Sequence, residues 1–252
     1  MRYKDKIVLI TGSGSGIGKA AALAFSKEGG TIVVSDINEV NGLKTVSEII
    51  KNNGKAVFFK TDVSDYIMVQ NLMNFIIEKY GRLDVAINNA GVGGDFAKIT
   101  DITIESWDKT MSVNSTGVFY CIKNQIPIML KQGSGVILNT SSIAGIRGLP
   151  NATAYSASKH AVIGITKTVA MEYAKNNIRV NAICPVFTVT PMFDPEAMDK
   201  IKEGISEKLK ANVPMKRFAN VMEQVNTMLW LCSDEASFIT GQAISVDGGL
   251  TA

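Results

Sequence analysis

The sequence predicts an α/β fold in which about seven parallel strands form a doubly wound sheet with helices on both faces. Three observations predict it. Short β-branched runs alternate with longer segments of helical period along all 252 residues. The runs are continuously apolar rather than alternating, as strands covered on both faces must be. The first run leads through a glycine-rich turn into a helical segment, and right-handed crossovers between such units wind the sheet both ways.

Strands are expected at IVLIT (7–11), TIVVS (31–35), AVFFK (56–60), LDVAIN (83–88), GVILNT (135–140), RVNAIC (179–184) and AISV (243–246). Helices are expected between them over 17–27, 40–51, 69–79, 104–130, 157–175 and 221–232. No low-complexity linker and no repeat interrupts the rhythm, so residues 1–252 are expected to form a single domain. One segment departs from it. From Pro185 to Pro214 the chain carries Pro191, Pro195 and a charged helix-like stretch over 196–210, inserted between the last two strands. An insertion over about 186–214, at the carboxyl edge of such a sheet, reads as a lid or substrate loop.

Composition excludes several classes. Hydrophobic residues at 46% against 19% charged give ample core and exclude intrinsic disorder. No apolar run approaches the roughly 20 residues that span a bilayer. The opening MRYKDKIVLITGSG lacks a long apolar region and a small-residue cleavage site, so a cytoplasmic protein without membrane attachment is expected. Lys and Arg number 26 against 23 Asp and Glu, an excess too small and too evenly spread for nucleic-acid binding. Cys121, Cys184 and Cys232 are far apart, which argues against a disulfide framework or a zinc site. His160 is the only histidine, so no His-based metal centre is expected, and it reads as a packing or interface residue.

The chemistry begins at TGSGSGIG, Thr11 to Gly18. Gly12, Gly16 and Gly18 permit a tight turn and a close approach of main chain to a ligand. The helix that follows offers free N–H groups and the positive end of its dipole to a pyrophosphate. Ser15 and Ile17 belong to the same turn, and Lys19 after it reads as solvent-facing. Asp36, at the end of the second strand and 18 residues past Gly18, is placed to accept from adenosine ribose hydroxyls. Its charge repels a 2′-phosphate, and its neighbours Ser15 and Ile37 offer no cation to welcome one. Asp62-Val63 and Asn88-Asn89-Ala90-Gly91 end the third and fourth strands, where a dinucleotide lies across the sheet.

A second constellation lies further on. Tyr155 and Lys159, at i and i+4, share a helix face. A nearby ammonium favours phenolate and makes a tyrosine usable as an acid/base near neutral pH. Ser142, 13 residues before Tyr155, can donate to a carbonyl oxygen, and Asn114 lies in the long helical stretch before the fifth strand.

Together TGSGSGIG, Asp62, NNAG at 88–91, Asn114, Ser142 and the YxxxK of Tyr155 and Lys159 resemble the short-chain dehydrogenase/reductase family, a Rossmann-type fold. The resemblance covers essentially the whole chain, through Ile239-Thr240-Gly241-Gln242 to Val246-Asp247-Gly248-Gly249. It implies that Tyr155 is the general acid/base, Ser142 polarises the substrate oxygen, and Lys159 lowers the Tyr155 pKa and holds the nicotinamide ribose. It implies that Asn114 keeps a water linking Lys159 to solvent. It also implies that Gly12, Ser15, Gly16, Ile17, Gly18, Asp36, Asp62, Val63, Asn89, Gly91 and Thr188 hold the cofactor, Asn89 through its backbone and Thr188 at the carboxamide. With Asp36 the cofactor is expected to be NAD, and the reaction hydride transfer between it and a secondary alcohol or ketone.

Two alternatives are a 3-oxoacyl-carrier-protein reductase using NADPH, which Asp36 opposes, and a nucleotide-sensing protein without turnover, which the retained Tyr155 and Lys159 oppose. One departure from the family pattern is Pro185-Val186 where Pro-Gly is usual, since valine cannot take the positive φ open to glycine. The Thr188 position is also more often Ile or Val. Substrate walls are expected from 92–98, 143–149 and 186–198: Val92, Phe96, Ile143, Leu149, Phe187, Met192 and Phe193, with Arg147 the notable charge. These walls suit a cyclic or hydrophobic alcohol better than a polyol. Finally, helices 104–130 and the one after Tyr155 read as apolar nearly all round, which predicts a homotetramer that buries them.

Overall fold

The computed structural model describes residues 1–201 and 203–252. Its strands are β1 (Ile7–Thr11), β2 (Thr31–Asp36), β3 (Lys55–Lys60), β4 (Val85–Asn88), β5 (Gly135–Thr140), β6 (Ile178–Pro185) and β7 (Ala243–Val246). Its helices are α1 (Gly16–Lys27), α2 (Glu39–Lys51), α3 (Tyr66–Tyr80), α4 (Ile104–Met111), α5 (Gly117–Gln132), α6 (Thr153–Tyr173), α7 (Pro195–Ile201), α8 (Ile205–Asn212) and α9 (Val221–Leu231).

All strand pairs are parallel, and the order across the sheet is β3-β2-β1-β4-β5-β6-β7. The chain builds outward from β1 to β3, then returns to place β4 on the other side of β1. At that switch point the connections leave in opposite directions, and a crevice opens beyond the carboxyl ends of the strands.

Successive residues of a strand enter different cores. Val8 and Ile10 pack with Phe25 of α1 and Met228 of α9, while Leu9 packs with Leu72 and Ile76 of α3, Ile122 of α5 and Val162 of α6. Both faces being covered, both sets must be apolar, hence the unbroken run in β1. The edge strands differ from that expectation. Most of β3 and β7 is only partly buried, because an edge lies outside the overlap of the two helix layers.

Three other expectations are corrected. β4 starts at Val85, because Asp84 turns its carboxylate to the Ile7 N–H (2.8 Å) and to Arg82. The single helix expected over 104–130 is broken by a π turn, Ser112–Thr116, between α4 and α5. Tight packing adjoins the break: a Cβ on Gly117 would come within 2.8 Å of Val63 Cγ2. The helix-like stretch over 196–210 is two helices, with Gly204 at φ 73° leading into α8. Asp199 of α7 accepts from the Ser206 N–H (2.9 Å) and ties the two together.

The long helices are not apolar nearly all round. The exposed positions of α6 are polar or small for the most part, among them His160, Gly164, Lys167 and Thr168, with Met171 the apolar exception. On α4 and α5 the exposed residues include Ile104, Trp107, Phe119 and Leu130. Among the described residues no helix is long and apolar enough to cross a membrane, and no three His, Cys, Asp or Glu side chains cluster to hold a metal.

Candidate active site

A cavity of about 780 Å³ lies along the carboxyl ends of the strands. Gly12, Ser15, Gly16, Ile17, Asp36, Asp62 and Val63 line it, as do Asn89, Gly91, Ser142, Tyr155, Lys159 and Thr188. Of the residues the sequence singled out, Gly18 and Asn114 stand behind the wall.

Main chain shapes the glycine-rich end. Gly12 and Gly16 have φ of +64° and +53°, and a Cβ on Gly12 would sit 2.7 Å from Ala90 Cα. A Cβ on Gly18 would lie 2.1 Å from the Gly12 carbonyl oxygen, so Gly18 sets how closely α1 approaches the turn. Ser15 is the N-cap of α1 but makes no side-chain cap, which leaves first-turn N–H groups available to an anion.

Carboxylates and amides brace this end. Asp36 accepts from Gly14 N–H (2.7 Å) through one oxygen and from Asn38 N–H (2.8 Å) through the other. Lys60, its register partner on β3, directs Nζ towards Glu39 (3.7 Å), a cation that reading along the chain did not bring near. Lys19, read as solvent-facing, pairs with Glu48 at 2.7 Å. Asp62 accepts from Ser64 N–H (2.9 Å) and Oγ (2.6 Å). Asn89 donates its backbone N–H to Thr11 Oγ1 (3.0 Å), and its side chain donates to the Thr11 and Gly12 carbonyls (3.2 Å each). Its N–H is therefore committed to the turn itself.

At the other end, Ser142 opens a short 3-10 turn (Ile143–Gly145), and its Oγ accepts from Ala144 N–H at 3.1 Å. Tyr155 lies in the first turn of α6, which begins four residues before the helix expected over 157–175. Burial raises its phenol above the ordinary value, and hydrogen bonding with Ser142 acts in the opposite direction. Lys159 donates from Nζ to the Thr140 carbonyl (2.8 Å) and stands 5.6 Å from the Tyr155 ring centroid. Burial lowers its ammonium to about 8. The expected lowering of Tyr155 by Lys159 does not appear: desolvation dominates, and the opposing effect comes from Ser142.

Asn114 sits in the π turn, where its side chain makes three hydrogen bonds. Oδ1 accepts from Val92 N–H (2.8 Å), and Nδ2 donates to the Val92 carbonyl (2.9 Å) and Ser158 Oγ (3.1 Å). It fastens the strand-end loop to α6, with both amide protons used and one lone pair of Oδ1 still open to a further donor. Thr188 donates from Oγ1 to the Val186 carbonyl (2.6 Å). Val186 is not among the positive-φ residues, so replacing the usual glycine brings no left-handed strain. Arg147, expected near the substrate, is exposed and does not line the cavity.

A family model described as enoyl-(acyl carrier protein) reductase matches residues 12–251. A 3-oxoacyl-(acyl-carrier-protein) reductase of Thermotoga maritima is 42% identical over 250 residues, covering 99% of each chain. A 3beta-hydroxysteroid dehydrogenase of Mediterraneibacter gnavus is 40% identical over 267 residues, covering 99% of this chain and 96% of the relative. A crystal structure of NAD+-bound xylitol dehydrogenase matches with a TM-score of 0.94 at 31% identity, covering 99% of this chain and 100% of that one. The chain belongs to the short-chain dehydrogenase/reductase family.

As a short-chain dehydrogenase/reductase it is an oxidoreductase that interconverts alcohol and carbonyl groups with a nicotinamide cofactor. The residues present fit such a cofactor. The glycine positions form a cradle that Cβ atoms would fill, and the α1 N-terminus lacks a side-chain cap. Thr61 Oγ1, in the cavity wall between Asp36 and Asp62, is buried without a hydrogen-bond partner. Reading along the sequence missed Thr11, whose hydroxyl takes the N–H groups of both Asn89 and Ala90. It placed Thr190 and Pro191 in a substrate wall over 186–198 but not against the cofactor turn, where a Cβ on Gly16 would contact them at 3.5 and 3.9 Å. No local signal marks them, since only the fold brings that loop across to the glycine-rich turn.

Proposed function

We propose that this enzyme transfers a hydride between NAD(H) and a secondary alcohol or its ketone, with Tyr155 as the acid/base. One observation carries the reading: Tyr155 and Ser142 line the same cavity as the glycine-rich turn and Asp36. The nicotinamide, when bound, supplies or accepts the hydride. Burial keeps the Tyr155 phenol protonated, so its O–H is ready to give a proton to a ketone oxygen that becomes an alcohol. In the reverse direction the same oxygen takes the alcohol proton. Ser142, hydrogen-bonded with Tyr155 in the same cavity wall, turns its hydroxyl to donate to the substrate oxygen and stabilise the charge that develops there. Lys159, held by the Thr140 carbonyl, places a cation beside the Tyr155 ring as negative charge forms on the phenol. Asn114 positions α6 against the Gly91–Val92 loop.

Asp36 favours NAD over NADP, because its carboxylate lines the cavity and repels a 2′-phosphate. The relative from Thermotoga maritima supports a second reading, a 3-oxoacyl-(acyl-carrier-protein) reductase, and Asp36 weighs against the NADPH expected with it. We take residues 1–252 as one cofactor-binding and catalytic unit, with 186–214 as its substrate loop; cavity walls that run from Gly12 to Phe193 support this.

Tyr155→Phe keeps the ring and removes the proton. We expect kcat to fall about 10²–10⁴-fold while NADH binding, followed by fluorescence titration, stays within threefold. Wild-type turnover in the Phe variant would refute the assignment.

We further propose a cytoplasmic homotetramer. Cys121, Cys184 and Cys232 are all buried and unpaired, which suits a reducing compartment. Ile104, Trp107, Phe119 and Leu130 give α4 and α5 an apolar outer face suited to a two-fold contact. Light scattering at micromolar protein is expected to give four times the chain mass; a monomer would contradict the proposal.

A further inference from the structure

Three phenylalanines from two stretches of chain meet beside the cavity. Phe187 and Phe193 stack with ring centroids 5.2 Å apart and planes at 27°. Phe218 meets both edge-on, at 6.1 Å from Phe187 and 5.1 Å from Phe193. Phe187 and Phe193 line the cavity; Phe218 does not. The backbone fixes the group. Ala219 N–H donates to the Phe187 carbonyl (2.9 Å), and Thr190 and Phe193 exchange two backbone bonds (3.1 and 3.0 Å). Lys210 of α8 places Nζ 5.5 Å from the Phe218 centroid and adds a cation–π contact.

The same cavity is lined by Ile143 and Leu149, which follow Ser142, and by Val92 beside Asn114. None of these side chains can donate or accept a hydrogen bond. A polyol laid against them leaves its hydroxyls unpaired, at a loss of roughly tenfold or more in affinity for each. A charged substrate fares worse. An aromatic pair held in place by Phe218 makes a rigid apolar wall. A rigid ring meets such a wall with little loss of rotor freedom, whereas an acyclic chain of equal carbon count must be ordered first.

On the hydride-transfer reading above, we infer that the substrate is a neutral ring ketone or the matching ring alcohol, packed against the wall that Phe187 and Phe193 form. Phe218 is a positioning residue that keeps that pair stacked and acts on the substrate only through it.

The test uses the full chain with NADH and carbon-matched pairs of ketones: cyclohexanone with hexan-2-one, and tetralone with decan-2-one. The ring member of each pair is expected to have the higher kcat/KM by about tenfold. Phe187→Leu and Phe193→Leu are expected to cut that ring-over-chain ratio about three- to tenfold. Phe218→Leu is expected to cut it chiefly by raising KM for the ring ketone, with Phe218→Tyr restoring it. A wild-type ratio near one, or a ratio unmoved by all three leucine variants, overturns the inference. Calorimetric binding of tetralone and decan-2-one to the NADH-loaded protein reads the same preference without turnover. Ring-selective binding lost in the leucine variants, with no reduction of either ketone, supports the aromatic site and refutes the Tyr155 chemistry. Turnover without ring selectivity does the reverse.

Discussion

The walls of the cavity are main chain at the Gly12–Gly18 end and side chains at the Phe187–Phe193 end. The first end is held by groups every residue carries: N–H donors to Asp36 and carbonyls that accept from Asn89. Only glycine fits its tightest points, so the spacing of glycines is visible in the sequence. The second end comes from loops after β4, β5 and β6, where any side chain of suitable size and polarity builds a wall. A cofactor site can therefore be read from a spacing rule, whereas a substrate site must be read from composition and then from geometry.

The largest effect that sharpens this contrast comes from Gly18→Ala. The new Cβ would stand 2.1 Å from the Gly12 carbonyl oxygen, far inside van der Waals contact, and 2.5 Å from the Asn89 side-chain amide. Either α1 moves away from the turn or the turn opens. Overpacking of this kind costs about 1–3 kcal/mol in stability. We expect NADH affinity to fall at least tenfold by fluorescence titration. Phe193→Leu, at the other end, should leave NADH affinity within threefold. Equal losses in the two variants would mean that the ends are not built differently.

Asp36→Ala is expected to have the next effect. It removes the acceptor for ribose hydroxyls and the charge that repels a 2′-phosphate, and it frees the Gly14 and Asn38 N–H groups. Lys60, the register partner of position 36, is close enough in the sheet to contribute a cation once the carboxylate is gone. The ratio of kcat/KM for NAD over NADP should fall roughly tenfold or more, a change of about 1.4 kcal/mol. A wild-type ratio already favouring NADP would overturn the NAD assignment outright.

The same contrast governs what was legible beforehand. The apolar runs at 7–11 and 135–140 coincide with β1 and β5, because strands buried on both faces leave an unbroken hydrophobic signature. The π turn at Ser112–Thr116 left no mark, since SVNST contains no glycine or proline and its neighbours have helical period. The partners it meets, Val63 beside Gly117 and Val92 bonded to Asn114, lie far away in sequence. Gly204 did mark the break between α7 and α8, and the charged pattern around it hid the signal. Val92, Ile143, Leu149, Phe187 and Phe193 line the cavity as read, yet Arg147 from the same stretches does not, because loop direction is set by packing.

The smallest expected effect concerns the seam between the two ends. Asn88 and Asn139 are register partners on β4 and β5, and Asn88 donates to Asn139 Oδ1 at 2.9 Å. Gln125 of α5 exchanges bonds with Asn88 at 2.8 and 3.2 Å, and Asn139 donates to Thr166 Oγ1 of α6 at 2.9 Å. Thr166 in turn donates to the Val162 carbonyl (2.7 Å), so both functions of its hydroxyl are used. All four residues are buried, and each next residue along β4 and β5 is a cavity residue, Asn89 or Thr140. Thr166→Val keeps the shape and removes one hydroxyl, which strands the Asn139 amide donor in a dry interior. Such a loss costs about 1–3 kcal/mol. It should appear as a lower urea midpoint with an unchanged slope at fixed protein concentration. The reacting groups themselves stay in place, because Lys159 remains tied to the Thr140 carbonyl and Asn114 to Val92. We therefore expect kcat within threefold of the wild type and the same NAD over NADP ratio. A tenfold fall in kcat with an unmoved urea midpoint would show that the buried amides orient α6 for catalysis, and the two ends would then share one support rather than two.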